Sequence, residues 1–250
     1  MTPRLAFALD AAYRAGRRTL AYFYAGAEVL EKEDETPVTA ADKEAEAYLR
    51  SRIREQYPSE AILGEEEGAT GSGASRWVID PIDGTKSFVA GVPLYATLLS
   101  FEVDGEPEIG ICYLPALDEM IFAEKGGGAY WNGRPCRVSS TSHLKGSIIC
   151  CGGHRSMARY GRMNGFLKLA ESAMATRTWS DAYGHALVAT GRADLMIDPI
   201  VHHWDLSAVS LIVREAGGTF TQFDGNPSIG AEAVSSNGLL HTAALEAFRT

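Results

Sequence analysis

The residues best suited to chemistry are two aspartates at the end of a predicted buried strand. The strand covers residues 77–80, and the dipeptide Pro81-Ile82 separates Asp80 from Asp83. Because the proline ring stiffens the turn, both carboxylates are expected at the mouth of the strand, where they could share a divalent cation. Similar sequences also occur in ordinary Asp-Gly turns. A cation site is therefore indicated only if further ligands come from elsewhere in the chain.

Gly84 and Thr85 continue this segment into a short predicted helix over residues 85–89. Glycine lets a ligand approach the backbone closely. The free N–H groups at a helix N-terminus are suited to bind phosphate. The segment therefore predicts a phosphate cradle beside a cation site.

Further carboxylates stand at comparable places in the chain. Glu65 and Glu66 follow a short predicted strand over residues 61–64, and Asp205 stands at the start of a later predicted helix. If these groups converge with the two aspartates, five carboxylates share one pocket, and their repulsion would raise several pKa values. Divalent cations remove that cost, and all-oxygen ligands favour Mg²⁺ or Mn²⁺ over zinc. Read alone, residues 65–67 are an ordinary solvated acidic turn.

These residues must be positioned by the surrounding helices and strands. The order of the predicted elements indicates a layered α/β fold with two halves, residues 1–140 and 141–250. The first half is expected to contain helices over residues 3–28 and 40–56, with Thr39 as the N-cap of the second. An antiparallel meander is predicted over residues 94–131. Strands and helices alternate in the second half: strands over 147–151, 193–197, 219–223 and 233–236, and helices over 155–172, 182–190, 204–216 and the C-terminus.

Composition narrows the function. The chain has 250 residues, 46% of them apolar, and a net charge of −9, which disfavours nucleic-acid binding. Charged residues interrupt the first apolar stretch, so neither a membrane span nor a signal peptide is expected. The four cysteines form no C-x-x-C pair and are expected to be buried thiols in a reducing compartment, which favours the cytoplasm.

In combination, these segments resemble the inositol monophosphatase family. The resemblance implies an αβαβα five-layer sandwich with a mostly antiparallel N-terminal sheet and a smaller C-terminal sheet. It also implies a phosphoric monoester hydrolase with Mg²⁺ as cofactor. The matching segments follow the family's order: Val38-Thr-Ala-Ala-Asp42, Leu63-Gly-Glu-Glu66, Trp77-Val-Ile-Asp-Pro-Ile-Asp-Gly-Thr85, Trp204-Asp205 and Glu215-Ala-Gly-Gly218.

The resemblance implies metal ligands residue by residue. Glu65, Asp80 and the carbonyl of Ile82 would bind a first cation, and Asp80, Asp83 and Asp205 a second. A third, weaker Mg²⁺ near Glu65 is common in the family, and Mn²⁺ is an expected substitute. Some members lose activity when Li⁺ occupies a metal site, so inhibition by Li⁺ is also expected.

The resemblance further implies how phosphate is held and attacked. The backbone of Gly84 and Thr85 would hold the phosphate, beside Asp83 and Asp205. Asp42 would orient Thr85, and this pair would act with Glu65 and the metals as the catalytic group that activates water. No Cys-x₅-Arg segment is present, so direct hydrolysis by water is expected rather than a cysteinyl-phosphate route.

Three segments favour the histidinol-phosphatase branch of the family: residues 32–39, 85–93 and 180–184. Asp181 and Asp198 fall where the family contacts the alcohol part of the substrate, and acidic partners suit the ammonium group of histidinol. The alternative is that Asp181 caps the helix over residues 182–190, and both roles could hold together. The pair His202-His203 is interpreted as a loop or substrate contact rather than a metal site.

Other interpretations stay open at this point. Inositol-1-phosphate and a 3′(2′),5′-bisphosphate nucleotide are alternative substrates, because residues 32–39 and Gly84-Thr85-Lys86 are shared with phosphatases of such nucleotides. A regulatory pseudoenzyme and a sugar bisphosphatase of the same fold are further alternatives. Residues 31–37, which include Lys32, are expected to form a mobile loop that closes over the site, and the family resemblance implies a homodimer.

Overall fold

Two helices cover one face of a large sheet. The computed structural model describes residues 1–26, 29–31 and 37–249. Helix α1, Pro3–Ala25, begins after the N-cap Thr2 and ends before Gly26, whose φ of 81° leaves the helical region; it is shorter than predicted because this glycine stops it. Helix α2, Ala40–Gln56, has the predicted bounds and the predicted N-cap, Thr39.

A two-stranded ribbon lies between these helices in the chain. It consists of β1, Val29–Glu31, and β2, Pro37–Thr39, which pair antiparallel. Residues 32–36, with Lys32, lie outside the described residues. Closure of the loop over residues 31–37 therefore stays a prediction.

The larger sheet has eight strands in the order β10-β9-β8-β7-β6-β5-β3-β4. All its neighbours are antiparallel except β3 and β5, which run parallel. The predicted meander is confirmed and gains one further strand at its edge. The bounds are β3 Ala61–Gly64, β4 Gly68–Thr70, β5 Ser75–Asp83, β6 Ala96–Val103, β7 Glu106–Leu114, β8 Glu119–Glu124, β9 Ala129–Trp131 and β10 Arg134–Cys136. The short helix α3, Thr85–Val89, follows β5 as predicted.

The smaller sheet has five strands in the order β12-β11-β13-β15-β14. Its first three strands are parallel and the last two pairings antiparallel. Its strands are β11 Ile148–Cys151, β12 Ala175–Arg177, β13 Leu195–Asp198, β14 Thr219–Thr221 and β15 Ala233–Ser236. The helices of this half are α4 His154–Arg159, α5 Met163–Ala170, α6 Asp181–Ala189, α7 His203–Glu215 and α8 His241–Phe248.

Helices α6 and α7 lie between the two sheets. One apolar cluster joins them to the larger sheet, through residues such as Leu98, Ile121 and Val209. A second cluster packs α1 and α2 on the outer face of the larger sheet, and a third packs α4, α5 and α8 on the outer face of the smaller one. The layers therefore run helix, sheet, helix, sheet, helix, which confirms the expected five-layer fold.

One predicted helix is wrong. The single helix expected over residues 155–172 is divided into α4 and α5. Gly161 adopts a φ of 70°, and the N–H of Arg162 donates to the carbonyl of Met157. This is the usual glycine stop at a helix C-terminus, so Gly161 was a signal for the break.

Two composition-based expectations can be compared with the structure. All four cysteines are free, as expected, but Cys136 is only half-buried. Within the described residues, no helix is long and apolar enough to cross a membrane. The strands of the larger sheet end at Cys136 and those of the smaller sheet begin at Ile148, while the boundary between two domains near residue 140 stays a proposal.

Candidate active site

Asp80 and Asp83 lie at the end of β5 and are held in place by hydrogen bonds around Pro81 and Ile82. The pairing of β5 with β6 is irregular between these two residues, which takes Pro81 and Ile82 out of the regular ladder. The N–H of Ile82 donates to Asp80 Oδ1 at 3.1 Å, and the Thr97 hydroxyl donates to the Pro81 carbonyl at 2.9 Å. Asp80 and Asp83 are both buried, so the sheet presents two carboxylates within the protein rather than in open solvent.

Asp205 joins them from the layer between the sheets. It lies in the first turn of α7, where its Oδ2 accepts from the N–H of His202 at 2.7 Å. Carboxylate oxygens of Asp80, Asp83 and Asp205 all lie within 4.8 Å of one another. The structure thus brings together three predicted metal ligands from two elements far apart in the chain.

Glu65 is held at the same site by the turn that follows β3. The N–H of Glu65 donates to the carbonyl of Ile79 at 3.2 Å, which ties this turn to β5. The buried carboxylate of Glu46 on α2 accepts from the N–H groups of Glu66 and Glu67 at 2.8 and 3.0 Å. Gly64 is required here, because a Cβ would lie 2.2 Å from Glu46 Oε1. The turn is therefore held by α2 and β5 rather than being a simple solvated loop.

Electrostatics indicate that these carboxylates need a counter-charge. Burial raises the pKa of Asp80 well above its ordinary value, and the nearby carboxylates of Glu65, Asp83 and Asp205 raise it further. Burial, Asp181 and Asp205 do the same to the pKa of Asp83. Burial raises the pKa of Asp205 to about 6. An all-oxygen, strongly acidic donor set of this kind fits Mg²⁺ or a similar hard cation.

The contacts of Thr85 and Asp42 differ from those that the resemblance implies. The Thr85 hydroxyl donates to the Ile82 carbonyl at 3.0 Å, and Asp42 Oδ2 accepts from the N–H and the hydroxyl of Thr39. The expected hydrogen bond between Asp42 and Thr85 is thus not formed among the described residues. Asp42 is the reciprocal partner in the N-cap of α2. Its Oδ1 is buried and has no partner in the described part of the chain.

Gly84 has the backbone that the predicted cradle requires. Its φ is 81°, and it precedes α3 as the N-cap. A Cβ at this position would lie 3.2 Å from both Asp181 Oδ2 and the Leu94 carbonyl. Glycine therefore leaves room for the carboxylate of Asp181 beside the β5–α3 turn. Phosphate binding by the backbone of Gly84 and Thr85 stays a prediction.

A small cavity of about 50 Å³ adjoins the carboxylate cluster. Asp198, at the end of β13, is buried there, and burial, Asp181 and Asp205 raise its pKa well above the ordinary value. The structure therefore brings both predicted substrate contacts to one place. The lining residues are Asp83, Asp181, Ala182, His185, Asp198, Ile200, Val201, Asp205 and Leu206.

Asp181 does not cap helix α6, so that alternative is wrong. The helix begins at Asp181 itself, and the N–H of Ala182 donates to Asp83 Oδ2 at 2.6 Å. Asp181 has a φ of 60°, a strained conformation for a residue other than glycine. Burial raises the pKa of Asp181, although the Ser180 hydroxyl, which donates to Oδ2 at 3.0 Å, and nearby Lys86 lower it. Asp181 is therefore held in the cavity rather than used at the helix end.

Sequence reasoning missed His185. This histidine is 1% exposed, and its Nδ1 lies 2.7 Å from the Ser235 hydroxyl. Burial lowers its pKa to about 3, so the ring is neutral at physiological pH. A histidine within an apolar helix gives no signal in the sequence that separates a cavity wall from the core.

The two adjacent histidines, His202 and His203, contact different parts of the molecule. His203 is the first residue of α7, and its Nε2 lies 2.6 Å from Oε1 of the buried Glu102. His203 therefore lies in a helix rather than a loop, and a contact between this residue and substrate stays a prediction. His202 is exposed and stacks on Trp204, with 5.0 Å between the ring centroids.

Comparison with known proteins agrees with this fold and site. The sequence model of the inositol monophosphatase family matches residues 1–250. A histidinol-phosphatase of Chlorobaculum parvum is 42% identical over 242 residues, which cover 95% of this chain and 93% of that protein. A histidinol-phosphatase of Mycobacterium tuberculosis is 39% identical, with 86% and 85% covered. The solved structure of a Thermotoga maritima IMPase superposes with a TM-score of 0.90 at 31% identity, covering 99% and 97% of the two chains.

The five-layer fold and its acidic centre define a phosphoric monoester hydrolase, as the matches to phosphatases over nearly the whole chain show. The chain belongs to the inositol monophosphatase family.

We expect the metal-free protein to become more stable when the pH is lowered from 8 to 6. The pKa values of Asp80, Asp83, Asp198 and Asp205 are raised in the folded state. Their stabilisation is therefore complete below the unfolded pKa and is lost as pH rises through the folded pKa, about 6 for Asp205. Thermal unfolding in EDTA measures the effect.

Mg²⁺ is expected to remove most of this difference, by stabilising the folded state by about 2.7 kcal/mol at 100 times its dissociation constant. His185 acts in the opposite direction only below its unfolded pKa of 6.5, because its folded pKa is depressed. The interval from pH 8 to pH 6 is therefore governed mainly by the carboxylates. If the melting temperature at pH 8 does not change when Mg²⁺ is added, this result would contradict a cation site at this cluster.

Proposed function

We propose that this phosphatase hydrolyses a small phosphate monoester with Mg²⁺, and that histidinol phosphate is its preferred substrate. The observation that carries the proposal is the cluster of the buried Asp80 and Asp83 with the half-buried Asp205, with Asp181 and Asp198 in the cavity beside it. Three carboxylates with oxygens within 4.8 Å of one another suit cation binding, and two more beside them suit a cationic alcohol. A metal-dependent family and this acidic centre support the first half of the proposal.

The proposed metal ligands are Glu65, Asp80, Asp83, Asp205 and the carbonyl of Ile82. This carbonyl already accepts from the Thr85 hydroxyl, but a carbonyl oxygen has a second lone pair. When bound, two to three Mg²⁺ ions would neutralise charge on the phosphoryl oxygens and lower the pKa of a water. The chain itself contributes positioning, which dominates phosphoryl transfer because the reaction needs little covalent help.

The proposed phosphate site is the backbone at Gly84 and Thr85. The positive φ of Gly84 turns the chain at the start of α3, which leaves N–H groups for an anion. Asp42, whose Oδ1 is buried and without a described partner, is proposed to receive a proton donor at that atom when substrate is bound. Thr85 would be that donor if its hydroxyl turned away from Ile82.

The substrate choice is supported by Asp181 and Asp198 and by the names of two relatives. Both relatives are called histidinol-phosphatases and match over most of their length. Histidinol carries an ammonium group and an imidazole, and hydrogen bonds between a cation and a carboxylate are among the stronger ones in proteins. A role in histidine biosynthesis follows if this substrate is right. A homodimer is proposed from the family resemblance, and a cytoplasmic location from the four free thiols.

Inositol-1-phosphate is the second candidate, because the Thermotoga maritima structure bears the name IMPase. The deciding experiment measures kcat/KM with Mg²⁺ for histidinol phosphate, inositol-1-phosphate and adenosine 3′,5′-bisphosphate. We expect histidinol phosphate to lead by at least about tenfold, since a site built for a charged group discriminates strongly against analogues that lack it. A lead for either of the others would overturn the substrate choice, and no Mg²⁺-dependent phosphate release from any of them would overturn the proposed function.

A further inference from the structure

A buried carboxylate lies between the two elements that carry the candidate metal ligands. Glu102 on β6 is 0% exposed and accepts three hydrogen bonds. Its Oε2 accepts from Arg76 Nε at 2.7 Å, and its Oε1 accepts from the Ser207 hydroxyl at 2.6 Å and lies 2.6 Å from His203 Nε2. Burying a carboxylate costs free energy unless such partners satisfy its hydrogen bonds. The presence of a buried glutamate here therefore calls for an explanation.

The partners of Glu102 come from β5 and from α7. Arg76 lies directly opposite Glu102 in the β5–β6 pairing, and Asp80 lies four residues further along β5. Because side chains alternate along a strand, Arg76 and Asp80 point to the same face of the sheet. Helix α7 covers that face, as the contact between Glu102 and Ser207 shows.

On α7, the residues that contact Glu102 lie on either side of Asp205 in the sequence. His203 and Ser207 are four residues apart and thus lie on one side of the helix, while Asp205 between them reaches the carboxylate cluster. A second link joins the same helix position to β6, since the hydroxyls of Ser207 and Ser100 lie 2.5 Å apart. The N-terminal part of α7, from His203 to Ser207, is therefore anchored to β6.

We propose that Glu102 is a positioning residue that holds the first turn of α7 against β5 and β6 and so sets the spacing of Asp205 from Asp80 and Asp83. This inference rests on the proposed metal site. The rest of α7 is secured by apolar residues such as Leu206, Val209 and Ile212 in the core. Loss of the anchor should therefore loosen the first turn without unfolding the helix.

Two variants on the same helix provide a matched test. Ser207→Ala removes one hydrogen bond to Glu102 and the link to Ser100. Ser210→Ala, the control, removes a buried hydroxyl that, within the described part of the chain, donates to the Ser207 carbonyl alone. Calorimetric titration of each protein with Mg²⁺, in the absence of substrate, gives the dissociation constant directly. We expect a rise of about tenfold for Ser207→Ala, as is typical when a residue that supports a metal ligand is lost, and little change for Ser210→Ala.

Glu102→Gln is the second variant, and we expect it to weaken Mg²⁺ binding more than Ser207→Ala does. The Mg²⁺ concentration for half-maximal activity should rise in parallel, while kcat at saturating Mg²⁺ stays close to wild type. A lower melting temperature with unchanged Mg²⁺ affinity in Ser207→Ala would mean a purely structural role and would overturn the inference. If Glu102→Gln does not fold, Ser207→Ala decides alone.

The same titration separates this inference from the proposed function. A wild-type protein that binds no Mg²⁺ would overturn both, since there would be no site to position. A wild-type protein that binds Mg²⁺, with Ser207→Ala and Glu102→Gln binding as tightly, would overturn the positioning role alone.

Discussion

Replacing Asp80 by asparagine is expected to lower kcat at saturating Mg²⁺ by at least about 10²- to 10³-fold, corresponding to about 3–4 kcal/mol of lost transition-state stabilisation. Burial raises the pKa of Asp80, and the carboxylates of Glu65, Asp83 and Asp205 lie close enough to raise it further. Asparagine keeps the size and one oxygen of the side chain but removes the charge that a divalent cation requires. The measurement is phosphate release with histidinol phosphate over a range of Mg²⁺ concentrations.

The same substitution should stabilise the metal-free protein or leave it unchanged at pH 8. It removes a buried negative charge from a cluster in which like charges repel, so stability and activity should change in opposite directions. The rise in melting temperature with Mg²⁺ should shrink or vanish. Asp104→Asn is the control, because Asp104 is exposed and its φ of 52° suits asparagine equally well. Near-normal turnover in Asp80→Asn would remove Asp80 from the proposed metal site.

The sequence predicted the carboxylate cluster because its members stand at element ends. Asp80 and Asp83 end a strand, Glu65 follows another, and Asp205 lies in the first turn of a helix. Such positions are readable from local patterns alone. That they meet within one pocket depended on the family resemblance, since no local pattern states which strand ends are neighbours.

Contacts between residues far apart in the chain could not be predicted from the sequence. The three partners of Glu102 come from positions 26, 101 and 105 residues away, and a glutamate within a predicted strand gives no sign of being buried. His185 was missed for the same reason. The resemblance pairs Asp42 with Thr85, which stays a proposal. In the structure the Oδ2 atom of Asp42 accepts from Thr39, a contact that the local capping pattern of Thr39 and Asp42 predicts.

The backbone conformation and the electrostatics of Asp181 both favour the proposed role of this residue in substrate recognition. Its φ of 60° costs free energy, and burial disfavours its charged form. Asp181 makes no cap for α6, since Asp83 accepts from the N–H of Ala182. A half-buried acid in a strained conformation that serves no helix end fits the proposal that a cationic partner arrives with the substrate. The ammonium group of histidinol would supply that charge.

Asp181→Asn is therefore expected to lower kcat/KM for histidinol phosphate by at least about 30-fold, because loss of one partner of a buried charge pair costs about 2 kcal/mol or more. Asparagine tolerates the positive φ of this position, so the backbone should be unchanged. Inositol-1-phosphate, which has no cationic group, should lose less than about threefold and serves as the internal control. Steady-state kinetics on both substrates provide the measurement. An equal loss on the two substrates would show instead that Asp181 acts through Asp83 and the cation site, and the preference for a cationic alcohol would then have to reside in Asp198.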